Sequence, residues 1–278
     1  MRRIWTGAAA IFLLAVYGNL GPTSPESASR PYAKSVVLVI MENRDYNRII
    51  GSLQAPYTNH VLVPQAALMT NSHAVAHPSL PNYFALFSGS TQDVTNDSCP
   101  HAFGTENIGA ELVSAGQTFA GYSESMPYDG YTGCFVGKYA RKHNPWVNFT
   151  NVPASSNLVY EGFPKNPPTL AIIVPNLCND MHDCSTQTGD AWLKKNLPPI
   201  LAYDKEHQGL LILTWDEADP DAKGTNQIAT LLIGPMVLRG SFNQWISHYS
   251  VLRTIETIAG VPCTGNACQA ADLKGIWR

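Results

Sequence analysis

The sequence predicts an α/β fold, an α/β/α sandwich with a largely parallel central sheet. Runs of apolar and β-branched residues are typical of strands that are buried on both faces, and four occur, at Val36–Met41, 169–174, Leu210–Trp215 and 228–233. Segments with helical spacing of apolar residues follow or separate them, at 80–88, 108–115, 190–201 and 251–259. This repeated order of strand, loop and helix favours crossover connections between parallel strands.

Length and composition indicate one domain, expected over residues 29–278. The chain has 278 residues, of which 45% are hydrophobic, enough to bury one large core. Its net charge of -3 includes no basic excess, so we expect no nucleic-acid partner. The 20 prolines and 21 glycines predict a loop-rich molecule, and binding residues are often placed on loops.

The first residues are typical of a secretory signal peptide. Arg2 and Arg3 precede an apolar stretch, residues 4–16, that is too short to span a bilayer comfortably. We predict a signal peptide over residues 1–28, cleaved near Ala28, and a secreted or periplasmic protein without stable membrane insertion after cleavage. An uncleaved membrane anchor is the alternative.

Six cysteines in an exported chain predict disulfides. The short spacings pair Cys178 with Cys184 and Cys263 with Cys268, which leaves Cys99 with Cys134. About 15 connectivities exist in principle. Zinc binding is the competing explanation, and it is weak because no CxxC pair occurs.

Polar residues whose side-chain oxygens can bind a metal directly follow two of the predicted strands. Glu42 and Asn43 come after the first strand, and Asp216 and Glu217 come after the strand that ends at Trp215. Ligand sites in open α/β sheets lie beyond the carboxyl ends of the strands. The two pairs therefore predict a metal site at one edge of the sheet, although either pair alone would also suit a solvated strand end.

Ser79 precedes a helical pattern and is the candidate nucleophile. In the stretch His77-Pro78-Ser79-Leu80 the hydroxyl is placed at a predicted helix start, where free N–H groups and the helix dipole favour an anion. An N-cap serine is the alternative. His248 similarly precedes the helix at 251–259, although a lone histidine is more often structural.

A basic loop over residues 137–146 suits an anionic ligand. It gathers Lys138, Arg141, Lys142 and His143 before an Asn-Pro pair, in a chain that is otherwise poor in charge. An exposed basic turn would have the same composition.

A second loop carries acids around a histidine. A bond between Cys178 and Cys184 would clamp a short segment that holds Asp180, His182 and Asp183. Such a clamp would fix the orientation of the histidine ring.

Together these groups predict phosphoryl transfer. A bound metal would favour deprotonation of Ser79, which would attack phosphorus and form a phosphoseryl intermediate that water hydrolyses. His182 or His77 would protonate the leaving oxygen, while Lys142 and His143 would hold the phosphate oxygens. Serine acyl hydrolysis is disfavoured because the G-x-S-x-G elbow is absent around Ser79.

The set of motifs resembles the phosphoesterase family of the alkaline phosphatase superfamily, which includes bacterial acid phosphatases and phospholipase C-like enzymes. The resemblance starts near residue 35 and extends to the C-terminus. Each motif is weak evidence alone, but their number, order and spacing are specific to this family. They are Glu42-Asn43-Arg44, His77-Pro78-Ser79 with Pro81-Asn82-Tyr83, residues 137–148, residues 179–183, residues 214–217 and Ser247-His248-Tyr249.

The resemblance implies an alkaline phosphatase-like fold and a set of site residues. Metal ligands would be Glu42, Asn43, Asp216 and Glu217. Ser79 would be the nucleophile, and His143 and His182 would contact phosphate or leaving group. We further expect Lys142, Asn82 and His248 to contact substrate. The wider superfamily further suggests Asp180 and His248 for a second metal.

The implied activity is metal-dependent hydrolysis of a small phosphomonoester or a phosphoinositide at mildly acidic pH. An oxygen-rich site suits Mg²⁺, Ca²⁺ or Mn²⁺ better than Zn²⁺. Glu42-Asn43 and Glu217 depart from the ligands of many superfamily members, so the metal's identity and number stay open. A phospholipase C-type phosphodiesterase and a non-catalytic phosphate-binding module are the alternatives.

Overall fold

The computed structural model describes residues 32–219 and 224–278, together with residues 1, 2 and 4. The predicted signal peptide therefore lies almost wholly outside the described residues. Among the helices of the described part, none is long and apolar enough to cross a bilayer.

The described residues form a central eight-stranded sheet and a separate two-stranded hairpin. The strands of the sheet are β1 (Val36–Met41), β2 (Ala67–His73), β3 (Phe119–Ser123), β6 (Asn157–Val159), β7 (Leu170–Val174), β8 (Leu210–Trp215), β9 (Gln227–Ile233) and β10 (Gly240–Ser247). The hairpin consists of β4 (Phe135–Val136) and β5 (Tyr139–Ala140). The α-helices of the described residues are α1 (Tyr46–Ile49), α2 (Ser79–Ser88), α3 (Ile108–Ser114), α4 (Thr186–His207) and α5 (His248–Ala259).

The sheet is largely parallel, as predicted. Its strand order is β10-β2-β9-β8-β1-β7-β3-β6, and β1 pairs in parallel with both β7 and β8. Strand β9 runs antiparallel to both of its neighbours, β8 and β2. The apolar run of β9 thus reflects burial on both faces and carries no information on strand direction.

Two apolar layers cover the faces of this sheet. Along β1, Val36, Leu38 and Ile40 belong to one buried cluster, which includes residues of α2, α3 and α5. The alternate residues of β1 belong to a second cluster, which includes residues of α4. Each fully buried aliphatic side chain stabilises the fold by about 1.5–3 kcal/mol. The fully buried β1 is therefore a rigid base for the residues that follow it.

Several elements were not predicted, among them strands β2 and β10 and both ends of helix α4. Strand β2 reads ALMTNSH and β10 reads GSFNQWIS, and both contain polar residues because part of each strand is exposed. Helix α4 extends beyond the predicted 190–201 at both ends, since the Ser185 side chain caps it by accepting from Thr188 N–H and it continues past Pro198 and Pro199.

Three disulfides have the connectivity that the spacings favour. Cys99 bonds Cys134, Cys178 bonds Cys184 and Cys263 bonds Cys268. The predicted pairing is confirmed, and every described cysteine is bonded. Disulfides of this kind are typical of proteins from oxidising compartments.

A buried carboxyl group in the last turn of α4 predicts pH-dependent stability. Asp204 is 1% exposed, neither side-chain oxygen has a hydrogen-bond partner, and burial raises its pKa from 3.8 to about 7. The folded state therefore retains a proton that the unfolded chain releases between these values, so this stabilisation is complete below pH 3.8 and is lost as pH rises through 7. We expect Asp204→Asn to raise the free energy of unfolding at pH 8 by about 1–3 kcal/mol, measured by urea denaturation.

The matched control for this variant is Glu206→Gln, which removes the same charge from an exposed position two residues away. It should leave the free energy of unfolding within about 0.5 kcal/mol of wild type at both pH 5 and pH 8. Equal gains at pH 5 and pH 8 for Asp204→Asn would contradict the titration of Asp204.

Candidate active site

The register of β1 and β8 brings the two predicted ligand pairs together. Met41 is the parallel partner of Trp215, so Glu42 and Asp216 are the next residues on adjacent strands. The Asn43 N–H donates to Asp216 Oδ1 at 3.1 Å. Glu42, Asp216 and Glu217 are all at most 1% exposed. The carboxyl edge of the sheet thus holds three buried carboxyl groups.

Asn43 supplies a further polar atom to this cluster. Its φ of 42° lies in the left-handed region, which asparagine tolerates better than most residues. One terminal atom of its side-chain amide, either the oxygen or the nitrogen, lies 3.0 Å from Glu42 Oε2 and 3.1 Å from Glu217 Oε1. With nitrogen at that position Asn43 donates to both carboxylates, and with oxygen there it completes a group of oxygens around a cation.

The first residue of α2, Ser79, points into the same cluster. Its hydroxyl lies 3.1 Å from Glu42 Oε2 and 3.3 Å from Glu217 Oε1, and the residue is 1% exposed. Pro78 at the N-cap makes no side-chain cap hydrogen bond, and the Ser79 hydroxyl of the first helical residue faces the carboxylates. The hydroxyl and the carboxylates therefore share one site.

Burial of so many acids shifts their ionisation. Burial, followed by repulsion from Glu217, raises the pKa of Asp216 to about 8, and burial raises the pKa of Glu217 to about 7. The pKa values of Glu42 and Asp180 are also raised, first by burial and then by neighbouring carboxylates. For Glu42, Asp180 and Glu217 the nearby Lys142 opposes the rise, but burial outweighs its positive charge.

Buried atoms without hydrogen-bond partners surround the cluster. They are Asp216 Oδ2, Asp180 Oδ2, His143 Nε2 and His248 Nδ1. One ligand atom each of Glu42, His143 and His182 lies within 4.8 Å of the others. Unpaired buried carboxylates and imidazoles are unfavourable unless a cation or proton satisfies them. The residues present therefore fit a divalent cation.

His143 lies deep in the site behind Glu42. Its Nε2 is 3.1 Å from Glu42 Oε1 and its Nδ1 is 3.4 Å from Asp180 Oδ2, but neither pair has hydrogen-bonding geometry. Burial, with Lys142 and His182 nearby, holds the pKa of His143 well below its usual range. The ring stacks on Tyr83 with centroids 5.0 Å apart. A neutral His143 is thus suited to coordination and hydrogen bonding.

His77 and His182 lie nearer the surface. The His77 Nδ1 pairs with Glu217 Oε2, and its side chain is 43% exposed. His182 Nδ1 lies 2.7 Å from Asp183 Oδ1, and its Nε2 lies 3.2 Å from Lys142 Nζ. A carboxylate orients each ring, and these two partly exposed histidines mark the mouth of the site.

The basic loop divides between structure and site. Arg141 is buried and donates to the carbonyls of Thr132, His101 and Val147, so it braces its own loop. The next residue, Lys142, instead extends to the mouth and donates to Asp97 Oδ2 at 2.8 Å.

Two predicted substrate contacts have other partners in the structure. Asn82 is fully buried and accepts from the N–H groups of Val75 and Ala76 while donating to the carbonyls of Ala76 and Pro78. These hydrogen bonds fill the capacity of its amide, so Asn82 braces the segment before Ser79.

His248 lies behind the predicted metal ligands. Its Nε2 donates to the Asp216 carbonyl at 2.5 Å, and burial lowers its pKa to about 4. His248 therefore holds the backbone of Asp216, a predicted metal ligand, in place. In the described structure the His248 ring lies away from the mouth of the site.

Sequence reasoning assigned no role to two residues of this site. Tyr83 donates its hydroxyl to Glu42 Oε1 at 2.5 Å, and Asp97 accepts from Lys142. Tyr83 follows Ser79 by one helical turn, and that spacing could have indicated its inward position. Asp97 lies in a loop whose sequence carries no such signal.

A comparison with protein families identifies the class. The chain belongs to the phosphoesterase family, because the sequence model of that family matches residues 54–262. The protein is therefore a hydrolase that acts on phosphoric ester bonds, and the predicted family is confirmed.

Individual relatives agree with this class. The chain is 44% identical to a phosphatidylinositol-3-phosphatase of Mycobacterium tuberculosis, over 98% of this chain and 92% of that protein. It is 31% identical to an acid phosphatase of Aspergillus fumigatus, over 86% of this chain and 57% of the relative. The crystal structure of a Vibrio parahaemolyticus protein in the alkaline phosphatase superfamily matches this chain with a TM-score of 0.63 at 12% sequence identity. The match covers 87% of this chain and 71% of that one. That likeness confirms the fold.

Proposed function

We propose that the protein is a secreted, metal-dependent phosphomonoesterase that acts through a phosphoserine at Ser79. The observation that carries the proposal is the Ser79 hydroxyl, held 3.1 Å from Glu42 Oε2 and 3.3 Å from Glu217 Oε1 at the start of α2. A hydroxyl among buried carboxylates is poorly explained as a helix cap, since Pro78 occupies the N-cap position and the Ser79 hydroxyl bonds to Glu42 and Glu217. It is well explained as a nucleophile beside a cation.

Glu42, Asn43, Asp216 and Glu217 would hold the cation. When bound, a divalent cation supplies positive charge that favours the serine alkoxide and neutralises phosphoryl oxygens. The oxygen-rich set favours Mg²⁺, Ca²⁺ or Mn²⁺ over Zn²⁺. Tyr83 and His143 contact Glu42 and restrict its position.

The chain's own groups account for the steps on either side of the intermediate. The Ser79 hydroxyl gives its proton to a neighbouring carboxylate as the bond from Oγ to phosphorus forms and the bond to the leaving oxygen breaks. His77 or His182, each held by a carboxylate, donates a proton to the leaving oxygen. Water then attacks phosphorus as the bond from phosphorus to Ser79 Oγ breaks. The histidine takes up a proton from the water, the carboxylate returns a proton to Oγ, and phosphate leaves past Lys142, which holds its oxygens at the mouth.

A phosphoinositide is the proposed substrate class, because the relative at 44% identity is named for phosphatidylinositol 3-phosphate. Export is supported by the predicted signal peptide and by three disulfides. A substrate phosphate reaches the site past His77, His182 and Lys142, which are partly exposed.

The proposal is tested by hydrolysis of a panel of esters with and without chelator. We expect 4-nitrophenyl phosphate and phosphatidylinositol 3-phosphate to be hydrolysed with kcat/KM at least about tenfold above bis(4-nitrophenyl) phosphate and phosphatidylcholine. Chelation should abolish hydrolysis, and one of Mg²⁺, Ca²⁺ or Mn²⁺ should restore it.

Other outcomes of this panel would point to the alternatives. Preference for the two diesters would favour a phospholipase C-type enzyme. Binding of phosphate without hydrolysis of any ester, at any metal supplied, would favour a non-catalytic module.

A further inference from the structure

The Asp97 carboxylate bridges two donors at the mouth of the active site. Its Oδ1 accepts from Leu80 N–H at 3.0 Å, and its Oδ2 accepts from Lys142 Nζ at 2.8 Å. Leu80 directly follows Ser79 in α2, so one of these donors is a free N–H at the start of the helix that carries the proposed nucleophile.

These two donors are the ones that a phosphoryl group on Ser79 would use. An N–H in the first turn of a helix and an ammonium group are both strong partners for phosphate oxygens. Carboxylate and phosphate each present two oxygens to such donors. Lys142 Nζ is also 3.2 Å from His182 Nε2, which places this cation between the loop acid and the proposed acid-base histidine.

We propose that Asp97 is an internal competitor of phosphate: in the resting enzyme its carboxylate takes the place of two phosphate oxygens at Leu80 N–H and Lys142. This inference rests on the proposed function. A residue that served only to orient Lys142 would not also bond to the Leu80 N–H. Asp97 accepts from both donors, and so its carboxylate occupies the whole anion position, which is defined by Leu80 N–H and Lys142 Nζ.

The position of Asp97 lets it leave when phosphate binds. Its side chain is 29% exposed, and it lies on the connection between α2 and α3, which has no helix or strand of its own. The disulfide between Cys99 and Cys134 fastens this connection two residues further on. Rotation of one side chain therefore exchanges carboxylate for phosphate while the backbone stays attached.

Competition by Asp97 has a consequence for turnover. A negative charge close to the anion position weakens the binding of a phosphate dianion, and it offers Lys142 a new partner once product leaves. The carboxylate thus keeps the affinity for inorganic phosphate low and favours product release.

The test is the variant Asp97→Asn, which keeps an acceptor for Leu80 N–H and removes the charge. We expect the inhibition constant of inorganic phosphate and the KM for 4-nitrophenyl phosphate both to fall by about tenfold, which corresponds to about 1.4 kcal/mol. The variant Asp97→Ala should shift both constants in the same direction. Calorimetric titration of phosphate into the double variant Ser79→Ala, Asp97→Asn should show about tenfold tighter binding than into Ser79→Ala alone.

The control is Asp93→Asn, which removes an exposed charge from the same connection. It should leave KM and the phosphate inhibition constant within about twofold of wild type. Unchanged or weaker phosphate binding in both Asp97 variants, with kcat reduced, would overturn the inference and make Asp97 a positioning residue for Lys142. That result would leave the proposed function intact, whereas activity that survives Ser79→Ala would refute the proposed function itself.

Discussion

Replacing Ser79 by alanine is expected to lower kcat for 4-nitrophenyl phosphate by at least about 10³-fold, because the variant loses the group that forms the phosphoryl bond. The loss should appear in kcat under saturating substrate, and rapid acid quench of wild type should trap phosphate on the peptide that contains Ser79. Folding should be unaffected, since the hydroxyl contacts Glu42 and Glu217 rather than the helix backbone.

The matched control is Ser88→Ala in the same helix. Ser88 is also buried, but its hydroxyl donates to the carbonyls of Phe84 and Ser90, away from the carboxylates. This variant should retain kcat within about threefold of wild type, with at most about 1 kcal/mol less stability. A Ser79→Ala enzyme with kcat near that of Ser88→Ala would rule out Ser79 as nucleophile.

The second large effect is expected for Asp216→Asn. Asp216 Oδ2 has no hydrogen-bond partner in the described structure, and Oδ1 accepts from Asn43 N–H. The amide variant therefore keeps the shape of the site and removes the charge of the proposed ligand. We expect the bound divalent metal, measured by elemental analysis, to fall below one tenth of the wild-type content. Activity should fall by at least about 10²-fold.

Thermal melting provides a readout that does not depend on turnover. Added metal should raise the Tm of wild type, because an ion that binds only the folded state stabilises it, and should leave the Tm of Asp216→Asn unchanged. Asp204→Asn is the matched control, since Asp204 is an equally buried aspartate that belongs to α4. A metal content in Asp216→Asn equal to that of Asp204→Asn would exclude Asp216 as a ligand.

The parts of the site that could be predicted from sequence are those fixed by local pattern. β1 and β8 are runs of apolar and β-branched residues, and each is followed directly by an acidic residue, so parallel pairing of the two strands was enough to bring Glu42 and Asp216 together. The Cys178 and Cys184 pair was similarly local, since a short spacing limits the partners of each cysteine.

The rest depends on contacts between distant segments. Nothing in the composition near Asp97 distinguishes a loop acid that reaches Leu80 and Lys142 from one that faces solvent. Asn82 follows Ser79 by one helical turn, and sequence alone does not show whether an amide there faces a ligand or, as here, the backbone of residues 75–78. Side-chain direction at such positions is decided by packing.

The reversed strand β9 brings its first residue to the rim of the sheet that carries the candidate site. Because β9 is antiparallel to β8, Asp216 after the end of β8 and Gln227 at the start of β9 lie at the same edge. Asn226 joins two segments there, since its Oδ1 accepts from Ala218 N–H at 2.8 Å and its Nδ2 donates to the Ala76 carbonyl at 2.8 Å. Substitution of Asn226 is therefore expected to loosen the backbone next to Glu217 and His77 while both apolar layers stay intact.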